Sequence, residues 1–397
     1  MAGGTGQAYA VPQTEIGLAI ETVKGTPEAA PQYAFPVKSP KYEIDLTEIP
    51  DDTLQGSMVK VYDLTPGLRY DKHGWSAYPL LDSFPLLVRG ELGSPDTMIV
   101  APAATTLSAA AAPGAVSVSV AATIPANSYI VIGSGATLET HITGTPTGAG
   151  PFTIPITPPL VNAQISGATV TGLTQHQFSL LNQGNTGNQP PSFTLWDFDG
   201  EQWRQMSACQ MDELNLKGNA TGLVEYTISL LGNAASTQVA APTISYTDVT
   251  TPPPWTFSAS INGNFLDTIV EWEIDLKRGT KPIPSLTGTQ EYFEYFAGAI
   301  EATAKLTFVE QSGSPYLTDF ITNTNLAFSF TLFDQTSGNA LTMNCAKALA
   351  KSGSLDRSKE WVEVPLDLQL LPSATNALAG GKSPLQITVA NTIATSY

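Results

Sequence analysis

The sequence predicts an all-β fold: two tandem copies of one β domain, each with one short helix, and a small β domain inserted into the first copy. Strand-like signatures are written twice, YEIDL at Tyr42–Leu46 against WEIDL at Trp272–Leu276, and SFTLWD at Ser192–Asp197 against SFTLFD at Ser329–Asp334. Apolar and polar residues alternate with period two, the mark of half-buried strands. Charged residues make up only 13% of the 397, well below the ~25% usual in globular chains, so Thr, Ser, Asn, Gln and Gly must supply the polar surface.

The length suggests about two to three domains, and a hydrophobic content of 42% supplies their cores. Residues 1–34 are polar and Gly/Ala-rich and read as an N-terminal arm that orders on contact with a neighbour. The first copy takes 35–100 and 173–240, with a short helix at Tyr78–Leu92. Residues 101–172 have almost no charge and short alternations such as VSVSV and YIVIG, and read as the inserted β domain in a surface loop. The Pro-rich stretch 241–255 is a linker. The second copy takes 256–372, with a helix at Ser314–Thr322, and 373–397 reads as a C-terminal arm.

The echoes keep step along the chain. Glu43 and Glu273 stand 230 apart, Ser192 and Ser329 stand 137 apart, and most of the difference is the insert. Met206 and Met343 follow at the same 137, each with a cysteine soon after, and the copies close with VEYTISLLG from Val224 and VEVPLDLQLLP from Val362. In Trp272–Leu276 the residues Trp272, Ile274 and Leu276 share one face and Glu273 and Asp275 the other. The same alternation puts Glu43, Asp45, Glu225, Glu363 and Asp367 on the water side.

Signals for chemistry are sparse. A formal net charge of −17 without a Lys/Arg cluster is a poor match to nucleic-acid binding. Cys209 and Cys345, 136 positions apart, read as buried thiols rather than a disulfide framework. The start MAGGTGQAYAVP has no basic or apolar signal region, so a cytoplasmic product is expected, and the apolar tract 107–133 is too interrupted to span a membrane. His73, His141 and His176 lie in different segments without metal-ligand spacing and read as scattered surface imidazoles. DFDG at Asp197–Gly200 reads as a hairpin turn rather than a calcium loop. No cofactor or metal is expected. A carboxylate-pair glycosidase is an enzymatic alternative without positive support, and a multidomain carbohydrate-binding surface β protein, using aromatics such as Trp203 and Trp255, is the non-enzymatic one.

The string Ile16–Gly93, with its opening IGLAIETVKGTP, FPVKSP at Phe35–Pro40 and the DxxLxGS turn at Asp52–Ser57, resembles the N-terminal part of tail tube proteins of long-tailed, siphovirus-like bacteriophages. QPPSFTLWDFDG at Gln189–Gly200 and EIDLKRGTKPIPSLTGTQ from Glu273 resemble the second half of that family, and 105–172 resembles a small β module of phage virion proteins. The resemblance implies two tail-tube-type, barrel-forming β-sandwich domains whose sheets join in stacked rings to form a hollow virion tube, a conduit for DNA. It implies no enzymatic activity and no membrane partner. It implies self-association, as trimers with pseudo-hexameric symmetry or as hexamers, and contact with the tape measure protein, the tail terminator and distal tail or baseplate proteins. Double-stranded DNA would pass without specific binding. Glu43, Asp45, Glu225, Glu273, Asp275, Glu363 and Asp367 become candidate lumen-facing acids. Pro50, Asp52 and Gly56, with Lys277, Arg278, Lys281 and Pro284, become candidate ring-to-ring loop residues. The insert would project from the tube exterior, where host surface polysaccharide is a conceivable contact.

Overall fold

The computed structural model describes residues 13–397 apart from 54–55, 57, 183–188, 248–249, 287, 314 and 379. Of the expectations above, the first twelve residues of the arm and Leu54, Gln55 and Ser57 of the turn lie outside the described residues. Strands dominate, and the chain is all-β with two α-helices among the described residues.

The first half contains β1 (Glu15–Ile20), β2 (Tyr33–Phe35), β3 (Lys38–Asp51), β4 (Asp63–Ala77), α1 (Phe84–Leu92) and β5 (Thr97–Ile99). After the insert it continues with β12 (Thr174–Ser179), β13 (Phe193–Phe198), β14 (Trp203–Asn219), β15 (Gly222–Gly232) and β16 (Ser236–Thr237). The insert holds β6 (Thr105–Thr106), β7 (Ser117–Val120), β8 (Tyr129–Ile132), β9 (Glu139–Thr143), β10 (Phe152–Thr157) and β11 (Thr169–Gly172). The second half has β17 (Ser258–Ile261), β18 (Asn264–Leu266), β19 (Ile269–Lys277), β20 (Lys281–Ile283), β21 (Glu294–Phe296) and β22 (Glu301–Val309). It ends with α2 (Tyr316–Ile321), β23 (Leu326–Phe333), β24 (Ala340–Gly353), β25 (Glu363–Leu370) and β26 (Gln386–Asn391).

The same ladder order occurs twice. In the first half β3 pairs with β4, β4 with β15 and β15 with β14, while β14 also pairs with β13, and β13 with β1. In the second half β19, β22, β25 and β24 follow in that order, and β24 continues to β23 and β17. The long strands β14 and β24 thus belong to two sheets at once. β14 changes partner from β13 to β15 after Cys209 and β24 from β23 to β25 at Ala348, and a register shift follows each, between Met211 and Glu213 and between Ala350 and Ser352.

The halves join edge to edge. β14 pairs antiparallel with β19 from Glu213↔Lys277 to Asn219↔Glu271, which makes one eight-stranded sheet, β3-β4-β15-β14-β19-β22-β25-β24. One face is apolar: Trp75, Ile228, Leu214, Leu216, Ile274, Leu276, Leu306 and Leu366 are all buried. Each such side chain contributes roughly 1.5–3 kcal/mol relative to exposure. The alternation predicted for Trp272–Leu276 is the one found.

Three boundaries differ from the sequence reading. Helix α1 begins at Phe84 rather than Tyr78, because Pro85 sits in its first turn and suits a helix start. The N-terminal arm contains β1, with Ile16 and Leu18 buried, paired to β13. The C-terminal arm contains β26, which pairs with both β24 and β12 and so fastens the second half to the first. Its alternation Leu385, Ile387, Val389, all buried, is a strand signal in a segment whose Gly/Ala-rich start masked it.

The insert forms its own six-stranded sheet around Val120, Ile130, Ile132, Ile154 and Val170. It also leans on the second half: Tyr129, Val131 and Leu173 pack with Phe333, Ala340 and Ala390, and Tyr129 Oη donates to Thr342 Oγ1 at 2.5 Å.

The central junction is tight where Gly218 lies opposite Trp272, since a Cβ on Gly218 would stand 2.7 Å from the indole. Gly218→Leu is expected to lower stability by about 1–3 kcal/mol through overpacking, seen as a lower urea midpoint together with a changed near-ultraviolet signal from Trp272.

Candidate functional site

The broad polar face of the eight-stranded sheet and its two open edges are the features that the fold leaves without an internal role. Glu43, Asp45, Glu225, Glu273, Asp275 and Asp367 stand on that face, opposite the buried residues of the same strands. Glu363 follows the same alternation but is only 3% exposed. Lys359 Nζ at 2.8 Å and Trp361 Nε1 at 2.7 Å cover its carboxylate, and the lysine holds its pKa below the usual range.

The carboxylates do not stand alone. Asp45 accepts from Lys72 at 2.8 Å, Glu43 from Lys41 at 3.0 Å, and Asp275 from Lys277 at 3.0 Å. Glu225 lies between Lys38 and Lys217. Across the second half, Lys217, Glu273, Lys305 and Asp367 are directly opposed on successive strands, so opposite charges alternate in a row. A groove of about 260 Å³ brings Glu273, Asp275 and Asp367 together with Lys305 and Lys351. Exposed pairs of this kind contribute about 0–1 kcal/mol each. Their consequence is for the surface potential: the expected acidic face is a lysine-compensated one. Single-strand alternation could not show this, because most of the lysines sit on neighbouring strands.

The two outer edges differ from the internal junction in one respect. β3 pairs only with β4, and beyond Ala348 β24 pairs only with β25, among the described residues. Ile274 and Leu276 are 0% exposed, covered where β14 adjoins β19, whereas Ile44 and Leu46, the same residues of the repeated pentapeptide, are 53% and 40% exposed.

Of the loop candidates, Pro50, Asp52 and Gly56 lie at the exposed end of the β3–β4 hairpin, near Ile49, Met58 and Leu64, which are also exposed. Lys281 and Pro284 are exposed in the β20–β21 hairpin, and Lys277 lies in β19 between Glu213 and Asp275. Arg278 is a correction. It is buried, and its guanidinium donates to the carbonyls of Glu91 at 2.7 Å and Leu92 at 3.0 Å, closing the last turn of α1. A helix C-terminus offers unpaired carbonyls and partial negative charge, which a cation satisfies. The Glu91 carboxyl beside it is fully buried without a hydrogen-bonding partner, and burial raises its pKa to about 8 against the pull of Arg278.

The three histidines are not surface groups. All are buried, each near an acid: His176 Nδ1 is 2.7 Å from Asp96, His73 Nε2 is 3.3 Å from Asp197 and His141 Nε2 is 3.7 Å from Glu139. Asp96 and Asp197 come from other segments than their histidines, which spacing does not reveal, whereas Glu139 shares strand β9 with His141. Cys209 and Cys345 are free and buried, with pKa values raised by burial. No group of three or more metal-ligating side chains occurs among the described residues, and the lining of a cleft of about 630 Å³ around Arg278, Phe296 and Leu371 includes no carboxylate. No helix is long and apolar enough to cross a membrane among the described residues.

Arg278→Ala removes charged donors from buried carbonyls and leaves Glu91 without its cation. A loss of about 3 kcal/mol or more is expected, read as a lower urea midpoint. Burial raises the folded pKa of Glu91 to about 8, above the ordinary carboxyl value of 4.5, so the folded state holds the extra proton in that window. Its contribution to stability therefore falls as pH rises from about 4.5 to about 8 and is flat above. Glu91→Gln should flatten that slope in pH-dependent unfolding, and an unchanged slope would reject the assignment.

Comparison with protein families matches residues 12–392 to the model described as phage tail tube protein. The match spans nearly the whole chain, and the chain belongs to that family: it is a structural protein of the virion tail. No curated protein matches it.

Proposed function

We propose that this tail tube protein closes into rings by repeating, between chains, the strand junction that it makes within itself. The free stretch of β24 on one chain adds to the free edge of β3 on the next, as β14 adds to β19 internally. The observation that carries this is the unequal exposure of one sequence: Ile44 and Leu46 stand uncovered where Ile274 and Leu276 are covered by a strand. An open sheet edge with apolar side chains is a liability that closure into a barrel removes. With two pseudo-equivalent domains per chain, three chains give a ring with six-fold pseudo-symmetry, and a doubled domain has that use.

The polar face then lines the bore, since the opposite face is occupied by the core. Lysines already matched to carboxylates gain little from phosphate, and the chain's net charge of −17 repels a polyanion. Double-stranded DNA would slide along such a wall without sticking. The exposed β3–β4 and β20–β21 hairpins are the segments to reach an adjacent ring. The tape measure protein would occupy the bore during assembly, with terminator and distal tail proteins on the end rings.

Purified protein at high concentration is expected to form hollow tubes in negative stain, with three chains per ring by mass measurement. The double variant Ile44→Lys, Leu46→Lys should remain a folded monomer, with stability within about 0.5 kcal/mol of the parent because both positions are exposed, and should form no tubes. Tubes formed by the variant at parental concentration would overturn edge closure.

A further inference from the structure

The internal junction has a cleft whose counterpart at the free edge has different chemistry. In the second half a cleft of about 170 Å³ is lined by Phe257, Leu266, Ile269, Trp272 and Leu332. The turn between β14 and β15 closes it, contributing Asn219, Ala220 and Val224 from the first half. The first half has the corresponding cleft, about 190 Å³, with Tyr42 where the second has Trp272. Its walls are polar: His73, Asp197, Asp199 and Arg204. No turn from the other half lies among its lining residues.

Three features point to a missing cation there. His73 is 2% exposed, and neither ring nitrogen has a hydrogen-bonding partner, although Nε2 is 3.3 Å from Asp197 Oδ2. Asp197 is 6% exposed, and Arg204 is already engaged with Asp199 at 2.6 Å and lies over the Tyr42 ring at 5.3 Å. Two carboxylates thus face one arginine, and the His73 imidazole is the one other basic group of the lining. In the second half the residue equivalent to Asp197 is Asp334, whose carboxylate takes Thr250 Oγ1 and the Thr336 backbone N–H.

We infer that this cleft receives the β24–β25 turn of a second copy of the same chain, with Arg357 of that turn entering against Asp197. The inference rests on the ring closure proposed above and names its polar contact. The ladder supplies the correspondence: Asp356↔Glu363 brackets the β24–β25 turn as Lys217↔Glu225 brackets the β14–β15 turn. The residues just inside are Arg357 and Val362 in place of Gly218 and Val224. Arg357 is exposed, and by that correspondence it comes opposite Tyr42 as Gly218 comes opposite Trp272. Its guanidinium can donate to the Asp197 carboxylate, a buried arrangement suited to arginine. The two junctions then differ: within a chain the cleft is mainly aromatic and aliphatic, with Asp267 its one charged lining residue, and between chains it is ionic.

The test uses the full chain with Pro40→Cys in the cleft and Ser358→Cys in the turn, and a short bismaleimide cross-linker; Cys209 and Cys345 are buried and unreactive by comparison. In assembled tubes the double-cysteine chain should give covalent dimers and closed trimers on a denaturing gel, and neither single-cysteine chain should. Arg357→Glu should raise the concentration needed for tube formation by about thirtyfold or more, as loss of one partner of a desolvated interface pair does, with an unchanged monomer melting curve. Tubes that form without the cross-link, and are indifferent to Arg357→Glu, would overturn the inference while leaving ring closure intact. Failure of the parent chain to assemble under any condition would remove ring closure and this inference with it.

Discussion

Pairing of β14 with β19 is the constraint on which the rest of the molecule depends. Each half alone would present a four-stranded sheet with two open edges and an apolar face narrower than the layer above it. Seven paired positions from Glu213↔Lys277 to Asn219↔Glu271 turn two such sheets into one and bury Ile274 and Leu276 completely. The approach of the strands is close enough to demand glycine at 218 under the Trp272 ring. Other connections lock the same arrangement: Arg278 of the second half caps α1 of the first, β26 lies between β24 and β12, and the insert rests on the β23–β24 turn. The relation between the halves is therefore set by backbone ladders, a buried cation and an apolar patch together.

A rigid internal junction has a further consequence for a subunit built to repeat. When one chain carries two equivalent domains, its internal interface is a template for the external one, and departures between them are informative. The repeated pentapeptide shows the template in its plainest form, since identical side chains are buried in one copy and exposed in the other. The clefts beside the two strands show the departure. One is lined by Trp272, Phe257 and Leu332, the other by Tyr42, His73, Asp197, Asp199 and Arg204. An internal contact never dissociates and can be largely apolar, whereas the polar lining of the first-half cleft suits a surface that meets water.

The polar sheet face follows the same economy of charge. Strand alternation supplies carboxylates, and neighbouring strands place lysines beside them, so the surface is densely ionic with few uncompensated cations. Such a surface binds water well and polyanions poorly.

The all-β class and the wet and dry faces of strands such as Trp272–Leu276 were legible in the sequence, because period-two alternation is a local property that the backbone obeys directly. The terminal strands were misread as arms: β1 and β26 are short, and their alternation is set in polar, small-residue surroundings that imitate a tail. Three histidines read as surface groups are buried, and Arg278, read as a loop residue, caps a helix 187 positions away. Lys41 and Lys277 share a strand with their acids, Glu43 and Asp275, but Lys72, Lys38 and Lys217 were equally out of reach. In most of these cases the deciding partner arrives from another strand or the other half of the chain. The sequence by itself determined which residues form strands and which faces they bury. Tertiary structure alone decided which charges meet and which edges remain open, because both depend on the registers between strands far apart in the chain.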